Sequence, residues 1–307
     1  MCFIFAMISF VTNMAAPFGN IWGFQYSWAA MMGNMMNFAA YLFMGIPAGK
    51  MLVKYGYKKT ALSALAVGAI GLIVQYLSSI FGADIETFTY DGQIVALNLI
   101  IYLLGAFICG FCVCMLNTVV NPMLNLLGGG GNKGNQLIQI GGTLNSLTGT
   151  LTPLLVGVLI GQVTAETSMS NVAPLLFIGI GIFILSFVII SFVAIPEPQA
   201  NTGNKKFEHS PLAFRHCLLG VIAIFFYVGV EIGIPAQLNF YITNLGFEGS
   251  AAIGGTLAAS YWFLMLIGRA SSSIISGKIS TTAQMTAVSL FAIIMLLIAI
   301  LMPETVT

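Results

Sequence analysis

The sequence predicts an all-α membrane protein with about nine transmembrane helices, and three observations support this class. Only 6% of the 307 residues are charged, against about 25% in a soluble domain, and 58% are hydrophobic. The apolar residues form runs of about 20 or more, which are long enough to cross a ~30 Å hydrocarbon core as helices. The polar connections between these runs alternate between basic and acidic.

The apolar runs divide into nine predicted spans. They lie roughly at residues 1–22, 28–50, 60–81, 94–127, 132–162, 172–195, 216–243, 252–274 and 283–302. The first run can direct membrane insertion, so no cleaved signal is needed. Met1 begins inside an apolar run without a basic flank, and we therefore expect the natural start to lie upstream.

The ten basic residues follow the even-numbered spans: Lys50, Lys54, Lys58 and Lys59 after span 2, Lys133 after span 4, Lys205, Lys206 and Arg215 after span 6, and Arg269 and Lys278 after span 8. The other connections carry acidic residues instead, namely Asp84, Glu86, Asp91, Glu166 and Glu248. Because Lys and Arg are retained in cytoplasmic loops, this bias predicts that the basic connections are cytoplasmic.

A polar, proline-containing stretch at residues 196–214 predicts a cytoplasmic linker between two halves. Residues 1–195 would form a six-helix bundle, and residues 215–307 about three helices of a second bundle. Similar residues recur 218 to 220 positions apart, as in Pro17 and Pro235 or Tyr41 and Tyr261. Many transporters are duplicated in this way, with the substrate site between the repeats. We infer a twelve-span protein that is truncated here after about nine helices.

Glu231 is the acidic residue that lies inside a predicted span. An ionised carboxylate at that depth costs on the order of several kcal/mol, so it must face a wet cavity or stay protonated. Both suit a proton-coupling residue, whereas the alternative is a structural glutamate bonded to a neighbouring helix. The Pro235 ring clashes with the carbonyl group of Glu231, and Gly233 lies between them, so we expect the helix to kink or break there.

Several amide side chains fall on helical faces inside the spans and are candidates for substrate binding. Amides donate to and accept from hydroxyl groups, such as those of a sugar, but they can equally bond to a neighbouring helix. The candidates are Asn37, Asn117 and Asn121 in spans 2 and 4, Gln139 in a polar stripe of span 5 that includes Ser146, Asn145 beside that stripe, and Gln237 and Asn239 after the expected break.

No other chemistry is predicted. The cysteines, three of them within span 4, lack metal-site or disulfide spacing, and we expect neither a metal nor a cofactor. No nucleotide-binding domain is present in the sequence, so uphill transport would draw on an ion gradient. The spans contain no nucleophile–base pair, which argues against an enzyme.

Residues 47–59, PAGKMLVKYGYKK, resemble the loop-2/3 signature of the major facilitator superfamily. Gly49, Lys54, Gly56 and Lys58 match that signature, while Val53 replaces its usual acid. Three further motifs resemble the fucose:proton symporter family, which includes glucose/galactose carriers: Asn121-Pro122, Asn145-Ser146 and the run from Phe225 to Glu231.

This resemblance implies a major facilitator fold of two six-helix bundles in a bacterial inner membrane, and symport of a monosaccharide with a proton by alternating access. It implies that Glu231 carries the proton and that Tyr227 joins the substrate contacts. The lysine-rich loop 50–59 would hold the cytoplasmic side shut, and span 7 would bend at Gly233 and Pro235. We expect a monomer. A uniporter, a carrier of another solute and a non-transporting sensor remain alternatives.

Overall fold

The structure, a computed structural model, describes residues 2–160, 167–197, 210–244 and 250–302. Within these ranges the chain forms eight α-helices and one antiparallel pair of strands. In chain order they are α1 (Cys2–Gln25), α2 (Met32–Leu77), β1 (Glu86–Tyr90), β2 (Gln93–Ala96), α3 (Leu97–Leu127), α4 (Gly131–Ile160), α5 (Ala173–Phe192), α6 (Arg215–Asn244), α7 (Ser250–Ser276) and α8 (Thr281–Leu301). Short 3-10 helices lie at Ser27–Ala29, Met169–Val172 and Pro211–Ala213.

The helices have the length and composition of membrane spans. Within the described residues, five stretches are both long and apolar enough to cross a bilayer: Ser27–Leu77, Leu97–Leu127, Met169–Phe192, Arg215–Pro235 and Thr281–Leu301. The remaining helices α1, α4 and α7, with 24, 30 and 27 residues, are also long enough at about 1.5 Å per residue. The predicted all-helical membrane class is therefore confirmed.

Predicted spans 2 and 3 form one 46-residue helix, α2, which kinks at Gly56. Gly56 has φ 82° and ψ 177°, a backbone conformation that glycine reaches without steric cost. The predicted loop at residues 50–59 is therefore wrong, because residues 50–55 end a first arm of α2 and residues 57–59 begin a second arm. The two arms therefore meet at a single glycine and not at a ten-residue connection.

The connection between α2 and α3 contains a β-hairpin that the sequence pattern did not predict. Its two-residue turn consists of Asp91 (φ 50°) and Gly92 (φ 72°), the Asp-Gly pair that hairpins with positive φ at both positions favour. Predicted span 4 thus begins too early, since residues 94–96 belong to β2. Because residues 94–96 are apolar and are followed directly by the apolar start of α3, hydropathy alone does not show where the strand ends and the helix begins.

The hairpin is fastened to the end of α1. The Ala96 backbone N–H donates a hydrogen bond to the Tyr26 hydroxyl at 3.0 Å, and the rings of Trp28 and Tyr90 are 4.9 Å apart. We call this side of the helices the hairpin end.

The opposite side carries lysines of the described residues, such as Lys54, Lys58 and Lys133, and we call it the basic end. There, Leu52 and Tyr57 beside the kink of α2 pack against Val119 and Met123 near the end of α3. The start of α4 meets the end of α7 at the same side, where Asn135 Nδ2 donates to Ser276 Oγ at 2.6 Å.

The hydrophobic core lies among α1 to α5, where α2 and α3 pack closely through glycines. An added Cβ at Gly71 would lie 2.8 Å from the Cys109 nitrogen, and one at Gly105 would lie 2.8 Å from the Gln75 nitrogen. Close approach at small residues is typical of helix packing in membranes. By contrast, α8 buries none of its residues. The predicted division into two bundles remains a prediction, because most of the linker at 196–214 lies outside the described residues.

Candidate functional site

Glu231 forms an ion pair with Arg269. The Nη2 atom of Arg269, on α7, lies 2.7 Å from the Oε1 atom of Glu231, on α6. Both side chains are largely buried, with 23% and 14% of their surfaces exposed. Arg269 thus lies within α7 and not in the basic connection where its charge had suggested it, so that prediction is wrong. An arginine can be accommodated within a membrane-spanning helix because a neighbouring carboxylate neutralises its charge.

The same guanidinium group also binds α4. Arg269 Nη1 donates to the Ser146 hydroxyl at 3.0 Å and to the Gly142 carbonyl oxygen at 3.3 Å. Ser146 is buried, and Gly142 lies directly beside the arginine, since a Cβ there would be in van der Waals contact with Arg269 Cδ at 3.5 Å. Guanidinium suits this arrangement because its planar fork offers five donors. Arg269 therefore connects α6 and α7 of the predicted second half to α4 of the first.

The helix that carries Glu231 is continuous. Helix α6 runs from Arg215 to Asn244 with Pro235 inside it, so the predicted break is wrong. Proline removes one backbone hydrogen bond, and membrane helices tolerate this loss through local adjustment. An added Cβ at Gly233 would meet no atom within 4 Å, so the glycine gives no close packing at this point. A bending role for Gly233 and Pro235 remains a prediction.

Two tyrosines accompany the ion pair. Tyr227, one turn before Glu231 on α6, and Tyr261 on α7 both lie within electrostatic range of the carboxylate. The Tyr227 side chain is 56% exposed. Of the predicted substrate contacts, Tyr227 is one that the fold brings to Glu231.

The polar stripe of α4 partly faces the pair. Gln139, Gly142 and Ser146 are spaced three and four residues apart, which places them on one face of α4. Asn145 instead turns toward α1, where its Nδ2 donates to the Phe5 carbonyl oxygen at 3.2 Å. Ser146 thus meets Arg269, whereas the neighbouring Asn145 bonds two helices together.

The other predicted amides lie elsewhere. Asn117 Nδ2 donates to the Tyr41 hydroxyl at 2.9 Å, and Asn121 Nδ2 donates to the Asn117 carbonyl oxygen at 3.1 Å. Asn37 is buried and lines a small cavity among α1, α2 and α3. Gln237 is exposed, and the side chain of Asn239 lies outside the described residues.

The predicted gating residues meet a partner that the sequence pattern did not indicate, Glu197. Its carboxylate accepts hydrogen bonds from the backbone nitrogens of Tyr57 (2.7 Å) and Lys58 (2.8 Å), capping the second arm of α2 just after Gly56. An anion at a helix N-terminus is favourable because the orphan N–H groups and the helix dipole attract it.

The side chain of Lys58 also contacts the segment that precedes Glu197. Its Nζ donates to the carbonyl oxygens of Ser191 (2.8 Å) and Val193 (2.9 Å) at the end of α5. Lys54 instead lies over the ring of Tyr55, at 5.2 Å, and Gly49 meets no neighbour within 4 Å of an added Cβ. Lys58 thus links two helices of the first half, and a gating role for these residues remains a prediction.

Comparison with known proteins identifies the family. The sequence profile of the Major Facilitator Superfamily matches residues 1–307. The chain belongs to this superfamily. As a member, it is a multi-pass membrane protein, and the predicted superfamily is confirmed.

Among its relatives, a glucose/galactose transporter of Brucella abortus is 25% identical over 276 residues, which cover 87% of this chain and 63% of the relative. A putative glucose/galactose transporter of Helicobacter pylori is 26% identical over 279 residues, covering 86% and 63%. This superfamily member therefore spans less than two thirds of the length of these relatives. Both are described as transporters, in agreement with the prediction that the chain is not an enzyme.

Solved structures show the same fold. A crystal structure of the Escherichia coli fucose:proton symporter FucP aligns with a TM-score of 0.69 at 18% identity, covering 91% of this chain and 71% of FucP. A structure of a major facilitator transporter, FucP, in the outward conformation aligns with a TM-score of 0.64 at 17% identity, covering 91% and 72%. The predicted major facilitator fold is confirmed.

Proposed function

We propose that this superfamily member takes part in monosaccharide:proton symport by alternating access, with Glu231 as the residue that binds and releases the proton. The observation that carries the proposal is the Glu231–Arg269 ion pair, whose guanidinium also binds Ser146 on α4. The pair thus lies where the two predicted halves meet. The relatives described as glucose/galactose transporters support a sugar as the solute.

The contacts couple protonation to the junction between the halves. A proton on Glu231 removes the negative charge that holds the guanidinium. Arg269 is then free to move, and its movement would weaken its hydrogen bonds to Gly142 and Ser146. Removing the charge of one partner in a largely buried ion pair, while the other partner stays charged, costs about 3–5 kcal/mol. A sugar hydroxyl can replace the lost carboxylate contact, because the N–H groups of a guanidinium can donate to any oxygen acceptor. Proton and sugar would therefore favour the same rearrangement.

The arrangement of the helices suggests which side of the transporter is closed. We propose that the basic end faces the cytoplasm of a bacterial inner membrane, following the distribution of the lysines. Asn135 and Ser276 join α4 to α7 at that end, and Arg269 joins them farther into the helices. This conformation would then be closed toward the cytoplasm. We further propose a monomer, with the remaining amides and Tyr227 as candidate sugar contacts.

Uptake of a panel of radiolabelled monosaccharides into proteoliposomes, with an imposed proton gradient, tests the proposal. We expect the gradient to drive accumulation and an uncoupler to abolish it. Glu231→Gln should lose accumulation while retaining exchange of the sugar across the membrane, because exchange needs no net proton movement. Glu86→Gln, the same change on the exposed hairpin, is the matched control and should behave as wild type.

Each alternative gives a different result. Accumulation by Glu231→Gln would remove the coupling role of Glu231. Equilibration that is insensitive to the uncoupler would indicate a uniporter, and binding without flux would indicate a sensor. Transport of a solute other than a sugar would keep the mechanism but change the substrate class.

A further inference from the structure

A small cavity among α1, α2 and α3 is lined by Asn37, Gln75 and Tyr102, and each of these side chains carries a buried oxygen atom that has no hydrogen-bond partner among the described residues. These are the Asn37 Oδ1, Gln75 Oε1 and Tyr102 hydroxyl oxygen atoms, and each belongs to a side chain that is at least nine-tenths buried. Asn37 lies on the first arm of α2, Gln75 on its second arm, and Tyr102 on α3. Most of the remaining wall is apolar, including Val11, Met14, Phe18, Leu72 and Ala106.

The surroundings restrain these oxygens at the cavity wall. The Tyr102 ring packs against Phe18 and Trp22, with ring centres 6.1 and 5.4 Å away. Its hydroxyl lies so close to Gly33 that a Cβ on this glycine would overlap it. Gln75 Nε2 lies 3.7 Å from Cys109 Sγ in a hydrogen bond, which leaves Oε1 as the unpartnered end of that amide.

We propose that this cavity binds one water molecule, which bridges the two arms of α2 and α3. The hydrogen-bonding capacities match, because water donates twice and the two amide oxygens only accept, while the Tyr102 hydroxyl can donate to the water oxygen. The volume open to the centre of a water-sized sphere is about 10 Å³, close to the minimum that one water needs.

The same dimensions and charges argue against other ligands. A monosaccharide is far larger than the space available. None of the described residues that line the cavity is Asp, Glu, Lys, Arg or His, so none of them would neutralise an ion. A dry cavity would leave three buried polar groups unpaired, and such groups are rarely left without a partner in folded proteins. The inference is independent of the proposed transport mechanism, since the cavity lies apart from Glu231 and Arg269.

The sign of a stability change distinguishes a hydrated cavity from a dry one. Tyr102→Phe removes only the hydroxyl group. If water is bound, the variant removes the hydroxyl group that donates a hydrogen bond to the water. We then expect the midpoint of thermal unfolding in detergent to fall by roughly 2–4 °C. If the cavity is dry, the variant removes an unpaired polar group and the midpoint rises. Tyr76→Phe, the same change outside the cavity, is the matched control and should alter the midpoint less than Tyr102→Phe does.

Two further measurements complete the test. In the background Asn37→Leu with Gln75→Met, which lacks both acceptors, Tyr102→Phe should no longer lower the midpoint. A high-resolution structure should show density for one water about 2.7–3.0 Å from the three oxygens. A raised or unchanged midpoint in Tyr102→Phe, an undiminished effect in the double-variant background, or a cavity that is empty or takes up xenon, would overturn the proposal.

Discussion

Replacing Arg269 by methionine should destabilise the protein more than any change to the individual partners of Arg269. Methionine keeps much of the length of the side chain but removes every donor. The Glu231 carboxylate, 14% exposed, then has no cation beside it in the membrane. It must either remain charged in a poor solvent or take up a proton.

The magnitude follows from the contacts that are lost. Removing one member of a largely buried ion pair costs about 3–5 kcal/mol. The bond to the neutral Ser146 hydroxyl adds about 1 kcal/mol, and the longer bond to the Gly142 carbonyl adds less. Partial exposure of both charged groups lowers the first figure, so we expect a total loss of about 3 kcal/mol. Ser146→Ala, which removes only one neutral contact, should cost about 1 kcal/mol.

The double variant isolates the ion pair. Glu231→Gln alone should cost less than Arg269→Met, because the amide oxygen still accepts a hydrogen bond from Arg269. Combining Arg269→Met with Glu231→Gln leaves no unpaired charge, so part of the loss should be recovered. We expect a coupling free energy of about 1.5–3 kcal/mol, measured by equilibrium unfolding in mixed micelles at neutral pH.

Additivity would refute this reasoning. If the two single losses sum to that of the double variant within about 0.5 kcal/mol, the two side chains do not interact, and the link between Glu231 and α4 fails with them. A loss in Ser146→Ala as large as that in Arg269→Met would instead place the stabilising contact on α4 and not in the ion pair.

Three other predictions concern the basic end and the orientation. Gly56→Ala should destabilise the protein by roughly 1–3 kcal/mol in the same unfolding assay, because an added Cβ disfavours φ 82° and overlaps the Glu197 carboxylate; Gly49→Ala, in a helix with nothing near its Cβ, should be neutral or stabilise by up to about 1 kcal/mol, and equal effects would contradict the kink. Glu197→Gln should cost about 1 kcal/mol, since a neutral amide caps α2 less well, and an unchanged unfolding free energy would argue against this contact. With the native cysteines replaced, Thr89→Cys should react with an impermeant thiol reagent in intact cells and Asn132→Cys only after lysis, whereas the reverse pattern would invert the proposed topology.

The sequence pattern predicted the class, the superfamily and the approximate position of most helices correctly. These features depend on local properties, since an apolar run must be helical in lipid whatever its neighbours are. The errors fall where one or two residues decide the course of the backbone in a way that hydropathy does not show. Gly56 replaces the predicted loop, and Asp91 and Gly92 form the turn of a hairpin. Pro235 does not break the helix but lies inside a continuous α6.

The importance of Glu231 could be recognised from the sequence, because a carboxylate in an apolar run is costly in any membrane fold. Its partner could not be recognised. Arg269 is 38 residues away and close to the basic end, so charge counting assigned it to a connection. The Glu197 carboxylate likewise accepts a hydrogen bond from the backbone N–H of Lys58, 139 residues away in the sequence. Hydrophobicity is a property of each segment alone, whereas an ion pair depends on which helix faces meet, and that follows from the packing of the whole chain.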